Sequence, residues 1–261
     1  MNLNNLNNLN KIKHHFQLIN SIYSLRNSSN SFQNFTILTG KNLIKIYSHK
    51  LILSCRSSYF YQIFKQNPSL NEISFPEINE TIMNLILDYI YKGEIDFNER
   101  NVFKIWNISQ KFELNDLSNS IQTYLESNIQ LSNVFKIFRK SKSNSKLNHQ
   151  SFDFIIQNFE KLIPFISKSK LSEEQMKEIV EKSFINNQNL QIFSLLNELT
   201  NWAELIQQKI LPKNPKFDKK AKIILMKKII KPFFKILPIN LLNEKEFYQL
   251  QSKIGFNQNF F

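Results

Sequence analysis

Strand-like patterns occur only in the first half of this chain, and that restricts its fold class more than any other feature. Two short apolar runs, at residues 35–37 and 43–46, flank a turn that contains Gly40. Glycine tolerates the positive φ that a tight hairpin demands. Residues 73–75 alternate between apolar and polar side chains, and residues 95–97 are a further strand candidate. These signals predict a small sheet accompanied by helices.

After about Asn128 the apolar spacing is helical. The clearest amphipathic stripe comprises Phe152, Ile155, Ile156, Phe159 and Ile163. Ser172 stands just ahead of Glu173 and Glu174, as a helix N-cap does. The order of the patterns therefore predicts an α+β fold class, with a mixed first domain and an all-α second domain.

The first 30 residues are expected to form a flexible tail and a helix ahead of the mixed domain. Residues 1–10 are polar and rich in Asn, which is typical of a flexible low-complexity segment. They lack the basic and then apolar order of a secretory signal. Residues 11–25 carry apolar side chains at helical spacing, among them Phe16, Ile19 and Ile22.

The formal net charge of +13 makes nucleic acid or an acidic surface a candidate partner. Composition offers an alternative, because abundant Lys, Asn, Ile and Phe with only 3 Gly is what an AT-rich genome encodes. No arginine-rich stripe alternates with aromatic residues, so we expect no specific nucleic-acid binding. Residues 219–231 fit a basic amphipathic helix for a membrane or an acidic partner. Their apolar side chains favour the other interpretation, a helix packed on a core.

No catalytic or cofactor-binding motif is recognisable. Phosphate-binding loops need clustered glycines, and the histidines lack zinc-binding spacing. Cys55 is the single cysteine and has no flanking glycines, so neither an internal disulfide nor a nucleophile elbow is expected. No apolar stretch is long enough to span a membrane. We therefore expect a cytoplasmic protein, with the nucleus as the alternative, that is not an enzyme and needs no cofactor or metal.

Two blocks of the sequence, correctly ordered and spaced, resemble the BTB (also called POZ) family. The first, FTILTGKNLIKIYSHKLILSCRSSYFYQIF, contains a hairpin, a His-Lys step and an apolar helix ending in Ser-x-Tyr-Phe. The second, EISFPEINETIMNLILDYIYKGEIDF, contains a strand ending at Pro and a helix running into Tyr-x-Tyr-x-Gly-x-Ile. The resemblance implies a BTB/POZ domain at residues 31–129. It favours a structural role for His49, buried and hydrogen-bonded at a strand-to-helix junction, over a role as a pH sensor.

The second half, residues 130–261, is similar to a BACK domain, with an aliphatic stripe that runs into Trp202. Many BTB domains pair an Asp before the first strand with a basic residue on the next helix. Asn34 and Arg56 stand at those places here, so that charge pair is lost. The 261 residues contain no Kelch repeats, so we expect a target to bind another surface.

The resemblance implies a homodimer that pairs through the N-terminal helix and the first helices of the domain. The candidate interface residues are Phe16, Ile19, Ile22, Leu51, Leu53 and Tyr59, and each fits the core of its own chain equally well.

A further implication is an adaptor role, in which the module links an unidentified target to a cullin-three-type ubiquitin ligase. The cullin-binding candidates are Phe64, Leu70 and Glu72, the last two from a hydrophobic-x-Glu motif. Glu72 fits equally well as the first residue of a strand. The alternative function is a structural scaffold or assembly subunit that uses the same dimer and helices without a ligase.

Overall fold

A computed structural model describes residues 3–27, 32–143, 145–187, 190–210 and 219–254. The chain divides into two compact units between Thr123 and Tyr124. The first unit contains helix α1 (Leu3–Asn27), strands β1 (Phe35–Thr39) and β2 (Ile44–Ser48), helices α2 (Lys50–Arg56) and α3 (Ser58–Gln66), strand β3 (Glu72–Phe75), helices α4 (Glu80–Lys92) and α5 (Val102–Lys111), and most of α6 (Asn115–Ser127). The α+β fold class is confirmed.

The three strands form one sheet in the order β2-β1-β3. β1 pairs antiparallel with β2, as the hairpin prediction requires, and parallel with β3. Gly40 has a φ of +70°, and its N–H donates to the Ile78 carbonyl at 2.7 Å, which ties the hairpin to the turn before α4. The predicted strand at residues 95–97 is wrong, because this segment has no regular structure. A strand needs a neighbour to satisfy its backbone groups, and the described sheet gives this segment none.

Packed aromatic side chains form the core of the first unit. The Phe60 ring lies 5.0 Å from that of Phe112, and Phe75 lies 5.1 Å from Phe112. Phe64 meets Phe35 edge-on at 4.7 Å. The core therefore joins α3, the sheet and the residue that follows α5.

Helix α1 is fixed to α4 near its C-terminal end. The Tyr23 hydroxyl donates to Asp88 at 3.0 Å, and the Arg26 guanidinium forms an ion pair with the same carboxylate. Arg26 also donates to Asn84 at 2.5 Å. The helix begins at Leu3, ahead of residue 11 where it was predicted to start, and the flexibility of residues 1–10 stays a prediction. Leucines at every third position from Leu3 favour a helix despite the polar composition.

The second unit contains no strand among its described residues. Its elements are helices α7 (Val134–Lys140), α8 (Lys146–Gln157), α9 (Phe159–Leu162), a 3₁₀ helix (Ile163–Lys168), α10 (Glu173–Asn186), α11 (Ile192–Ile210), α12 (Lys219–Phe234), a second 3₁₀ helix (Ile239–Leu241) and α13 (Glu244–Ile254). Ser172 caps α10 in a capping box with Gln175, as its position in the sequence predicted. Trp202 is buried, and its indole N–H donates to the Leu171 carbonyl at 3.3 Å.

The basic stretch predicted to pack on a core does so. α12 buries Met226, Ile229, Ile230 and Phe233, and Phe233 meets Trp202 edge-on at 5.9 Å. Among the described residues no helix combines the length and apolarity needed to cross a membrane.

Candidate protein–protein interaction surfaces

His49 lies at the junction of β2 and α2, where the hydroxyl of Tyr91 contacts both its backbone N–H and its ring. The backbone N–H of His49 donates to the Tyr91 hydroxyl at 3.1 Å, and the ring Nδ1 lies 2.7 Å from the same oxygen. The N–H can only donate, so the hydroxyl accepts there and its own proton is available to Nδ1. Burial raises the pKa of Tyr91 to about 12, so the hydroxyl keeps its proton at neutral pH. This is the structural role expected for His49.

Asn34 and Arg56, which stand where many BTB domains have a charge pair, each contact another group here. The Asn34 side-chain oxygen accepts from the Lys50 N–H at 2.9 Å, so it ties the approach to β1 to the start of α2. Arg56 instead lies over the ring of Tyr89, with its guanidinium carbon 5.9 Å from the ring centroid. Burial raises the pKa of Tyr89, against the opposing influence of Arg56. Asn34 therefore bonds a backbone group, and Arg56 lies against an aromatic ring.

The structure separates the predicted dimer residues into three groups. Phe16 and Leu51 are exposed, Leu51 by 71%. Ile19 and Ile22 are half-buried, on the α1 face that also carries Tyr23.

The other two predicted dimer residues lie against their own chain. Tyr59 is half-buried and stacks on Phe112 with the ring centroids 5.4 Å apart. Leu53 is fully buried at 0% exposure, so its assignment to an interface is wrong. A seven-residue helix that packs on α4 turns one side to the core, and Leu53 lies on that side.

The exposed apolar side chains of α1 are the main candidate site of the first unit. Residues 11–18 are all exposed, and they include Ile12, Phe16 and Leu18. The helix contacts α4, and α2, which carries Leu51, packs on α4 as well. We call Ile12, Phe16 and Leu51 the apolar face; Leu18, two positions from Phe16, lies on nearly the opposite side of α1 and is not part of it. Neighbouring exposed apolar side chains are typical of surfaces that a partner covers.

The three predicted cullin-binding residues lie at the end of α3 and the start of β3. Phe64 is only 8% exposed and belongs to the aromatic core, so its placement in a cullin contact is wrong. A ring that packs edge-on against Phe35 cannot also enter a partner's groove. Leu70 is half-buried rather than exposed, and Glu72 is exposed as the first residue of β3.

Lys50, which no sequence argument selected, holds the loop before β3 in place. Its ammonium donates to the Pro68 carbonyl at 2.9 Å and to the Asn71 side chain at 3.0 Å. The Asn71 carbonyl accepts from the Thr36 N–H at 2.9 Å. In the sequence, the only feature that pointed to Lys50 was its place in the His-Lys step. The loop therefore presents Leu70 and Glu72 from a fixed backbone.

The described residues contain no cluster of His, Cys, Asp and Glu suited to a metal ion. Cys55 is exposed. The Glu77 carboxylate forms an ion pair with Lys111 at 2.5 Å, and this hydrogen bond lowers the pKa of Glu77. Glu77 and Lys111 are thus engaged in a structural contact, whereas the apolar face stays exposed in the described part of the first unit.

Comparisons with known proteins concern the family of the first unit and its relatives. The family model for the BTB/POZ domain matches residues 22–129. The Kelch repeat and BTB domain-containing protein A55 of Vaccinia virus (strain Western Reserve) is 28% identical over 197 residues, which cover 74% of this chain and 34% of that protein. Kelch-like protein 40 of Xenopus tropicalis is 28% identical over 152 residues, covering 51% of this chain and 25% of that protein.

Among solved structures, the BTB (Tramtrack and Bric a brac) domain of human Gigaxonin is 26% identical to this chain. The match covers 43% of this chain and 92% of that one, with a TM-score of 0.39. The chain spans about a third or less of the length of the curated relatives named above. The matched family model shows that this chain contains a BTB/POZ domain at residues 22–129.

Proposed function

We propose that the protein is a homodimeric interaction adaptor that acts without catalysis and brings a target to a cullin-three-type ubiquitin ligase. The observation that carries the dimer is the apolar face of α1 and α2. Complete burial of one Leu or Phe side chain contributes about 1.5–3 kcal/mol. Two copies that pair these faces symmetrically bury every such residue twice, because a twofold contact uses the same patch on both chains.

The test of the dimer is a mass measurement with a matched pair of variants. Light scattering of the full chain should give twice the 31.1 kDa chain mass at micromolar concentration. Phe16→Glu should shift the protein to a monomer, because it places a charge in the apolar contact. Phe165→Glu is the control, since Phe165 is 47% exposed and lies in the second unit. A monomeric parent, or equal behaviour of both variants, contradicts the proposed dimer.

The ligase contact is the finer part of the proposal, and the loop before β3 supports it. Leu70 keeps part of its side chain accessible and Glu72 is exposed. Lys50 fixes the backbone that carries both, which lowers the ordering cost when a partner binds. A partner helix with an apolar groove and a hydrogen-bond donor fits this pair.

Binding to a purified N-terminal domain of a cullin of the cullin-three type tests the contact. Leu70→Ala should weaken binding by about ten- to a hundredfold, the loss of 1–3 kcal/mol expected for an interface anchor. Glu72→Lys should weaken it similarly, whereas Glu99→Lys, a matched change at another exposed glutamate, should not. Thermal unfolding of each variant confirms that it remains folded. Folded variants that bind the cullin as tightly as the parent contradict the contact.

We assign the second unit as a BACK-like helical arm, on the order of its helices and on the viral relative, whose match extends over 74% of the chain. We also propose a cytoplasmic location, with the nucleus as the alternative. A fluorescent fusion that reports another compartment contradicts the location.

A structural scaffold is the second candidate, and one observation favours it. Of the three residues chosen for the cullin contact, Phe64 is buried and Leu70 is half-buried. A scaffold needs the dimer but not that contact. Co-purification of the intact protein distinguishes the two, because only an adaptor retains a cullin, and retention should disappear with Leu70→Ala.

A further inference from the structure

The C-terminal half of α12 and the turn that follows it carry a row of lysines on their solvent side. Lys228, Lys231 and Lys235 are spaced by three and four residues, so they follow one helical face. All three are exposed, and Lys228 and Lys235 form no ion pair with any described residue. We call these three residues the lysine ridge. The opposite side of α12 is buried in the core of the second unit, which fixes the direction in which the ridge points.

A hollow of about 540 Å³ lies on one side of the ridge. Lys231 and Lys235 form its rim, and four half-buried apolar side chains line it: Phe234, Ile239, Leu242 and Phe247. α12, the second 3₁₀ helix and α13 contribute these residues. This volume is within the range of small-ligand sites, and its lining accommodates one large apolar side chain.

A second hollow of similar volume, about 540 Å³, lies on the other side. It includes all three residues of the ridge together with Lys177, Pro232 and Ile236. Among the described lining residues the one carboxylate is that of Glu181, which pairs with Lys177 at 3.7 Å. Four lysines against one glutamate leave this hollow strongly positive.

We propose that the lysine ridge and its two hollows dock an acidic segment of another protein, with carboxylates on the lysines and an aromatic or large aliphatic side chain in the Phe234–Phe247 hollow. Charge complementarity identifies this occupant. A nucleic acid is a poorer fit, because the two phenylalanines line a hollow instead of forming an exposed stacking platform, and no arginine takes part. The described residues that form this surface all belong to the second unit, whereas the residues proposed for the dimer and ligase contacts belong to the first.

Fluorescence anisotropy of the full chain tests the proposal with a synthetic peptide. The peptide has about twelve residues, with glutamates flanking a central Phe and Leu. Lys231→Glu with Lys235→Glu should weaken binding by about tenfold or more, because two attractions become repulsions. The control is Lys161→Glu with Lys168→Glu, which changes two exposed lysines of the same unit by the same net charge. It should leave the affinity nearly unchanged. Equal losses in the two double variants overturn the proposal.

Two further peptides separate the apolar and the charged contributions without altering the protein. Replacing the central Phe and Leu by Ala should weaken binding by about tenfold. Replacing the glutamates by glutamine should abolish the salt dependence along with most of the affinity. An alanine peptide that binds as well as the parent removes the apolar hollow from the proposal and overturns it.

Other occupants give distinct results. If a single-stranded oligonucleotide does not displace the bound peptide, and the peptide binds the double variant of the ridge more weakly than the parent, the proposal stands. If the oligonucleotide binds the ridge and the peptide does not, the proposal is wrong. If the peptide binds only after residues 255–261 are removed, the hollow belongs to that segment of the chain, and the proposal is equally wrong.

Discussion

One tyrosine hydroxyl joins α4 to the start of α2, and its removal should be costly. Tyr91→Phe deletes the oxygen that accepts the His49 N–H and contacts its ring. Both residues are buried, so no water replaces the lost partner readily. We expect the free energy of unfolding to fall by about 1–3 kcal/mol in urea denaturation. Tyr61→Phe is the control, because Tyr61 is exposed and its change should stay within about 0.5 kcal/mol. Equal effects of the two variants contradict this role.

The same hydroxyl predicts a dependence of stability on alkaline pH. The pKa of Tyr91 is about 12 in the folded chain because burial disfavours the anion. An unfolded tyrosine titrates near 10, so only the unfolded state gains from losing the proton between pH 10 and about 12. The stability advantage of the parent over Tyr91→Phe should therefore be complete below pH 10 and shrink toward pH 12. Urea denaturation of both proteins across this range checks it, and a constant difference contradicts it.

The predictions for Leu53 and Phe64 were wrong for a geometric reason. Leu51 and Leu53 are two positions apart, which places them on nearly opposite sides of a helix. Both could not face the same partner, and the structure exposes Leu51 and buries Leu53. Phe64 was misassigned for a related reason, because the sequence pattern of an apolar residue is the same whether it packs in its own core or binds a partner's groove. Only the packing of β1 against α3 decides it.

At the scale of elements, the sequence predicted best those structures whose signals are local. The hairpin at Gly40 and the capping box at Ser172 depend on a few adjacent residues, and both are confirmed. The strand at residues 95–97 was wrong because a strand depends on a distant partner, which no local pattern reveals. The length of α1 was underestimated because polar Asn residues obscured a regular leucine spacing.

The attachment of α1 to α4 should depend on the pair of Arg26 and Asp88. The Arg26 side chain is only 8% exposed, so its charge interacts across a poorly solvated gap. A double-mutant cycle with Arg26→Ala and Asp88→Ala should give a coupling energy of about 1 kcal/mol or more. The exposed pair of Glu77 and Lys111 is the comparison and should give about 0.2–1 kcal/mol.

Amide exchange supplies the second measurement for this attachment. Arg26→Ala should increase exchange in α1 more than in α5, because the helix loses its main polar contact with α4. Unchanged protection of α1, with a coupling no larger than that of the exposed pair, contradicts the anchoring role.

On the scale of the whole molecule, the sequence changes from mixed to helical patterns near the place where the contacts of the chain divide. The sequence placed the change after about residue 128, and the contacts divide the chain between Thr123 and Tyr124, inside α6. The division lies inside α6, which ends at Ser127, so no linker marks it. The surfaces were harder to predict, because each combines elements that are distant in the sequence. The lysine ridge lies on and just after α12, whereas α10 and α13 supply other residues that line the two hollows.

The net charge of +13 belongs to the whole molecule, and its consequence for nucleic acid is a prediction about salt. We expect weak binding to any duplex of about 20 base pairs at low salt, without preference for sequence, because the lysines contact phosphates and release counterions. If about six phosphates are contacted, affinity should fall about a thousandfold between 50 and 200 mM salt. Anisotropy titrations with two unrelated duplexes measure both properties. Binding that prefers one sequence and persists at the higher salt would show that base contacts, and not net charge, supply the affinity.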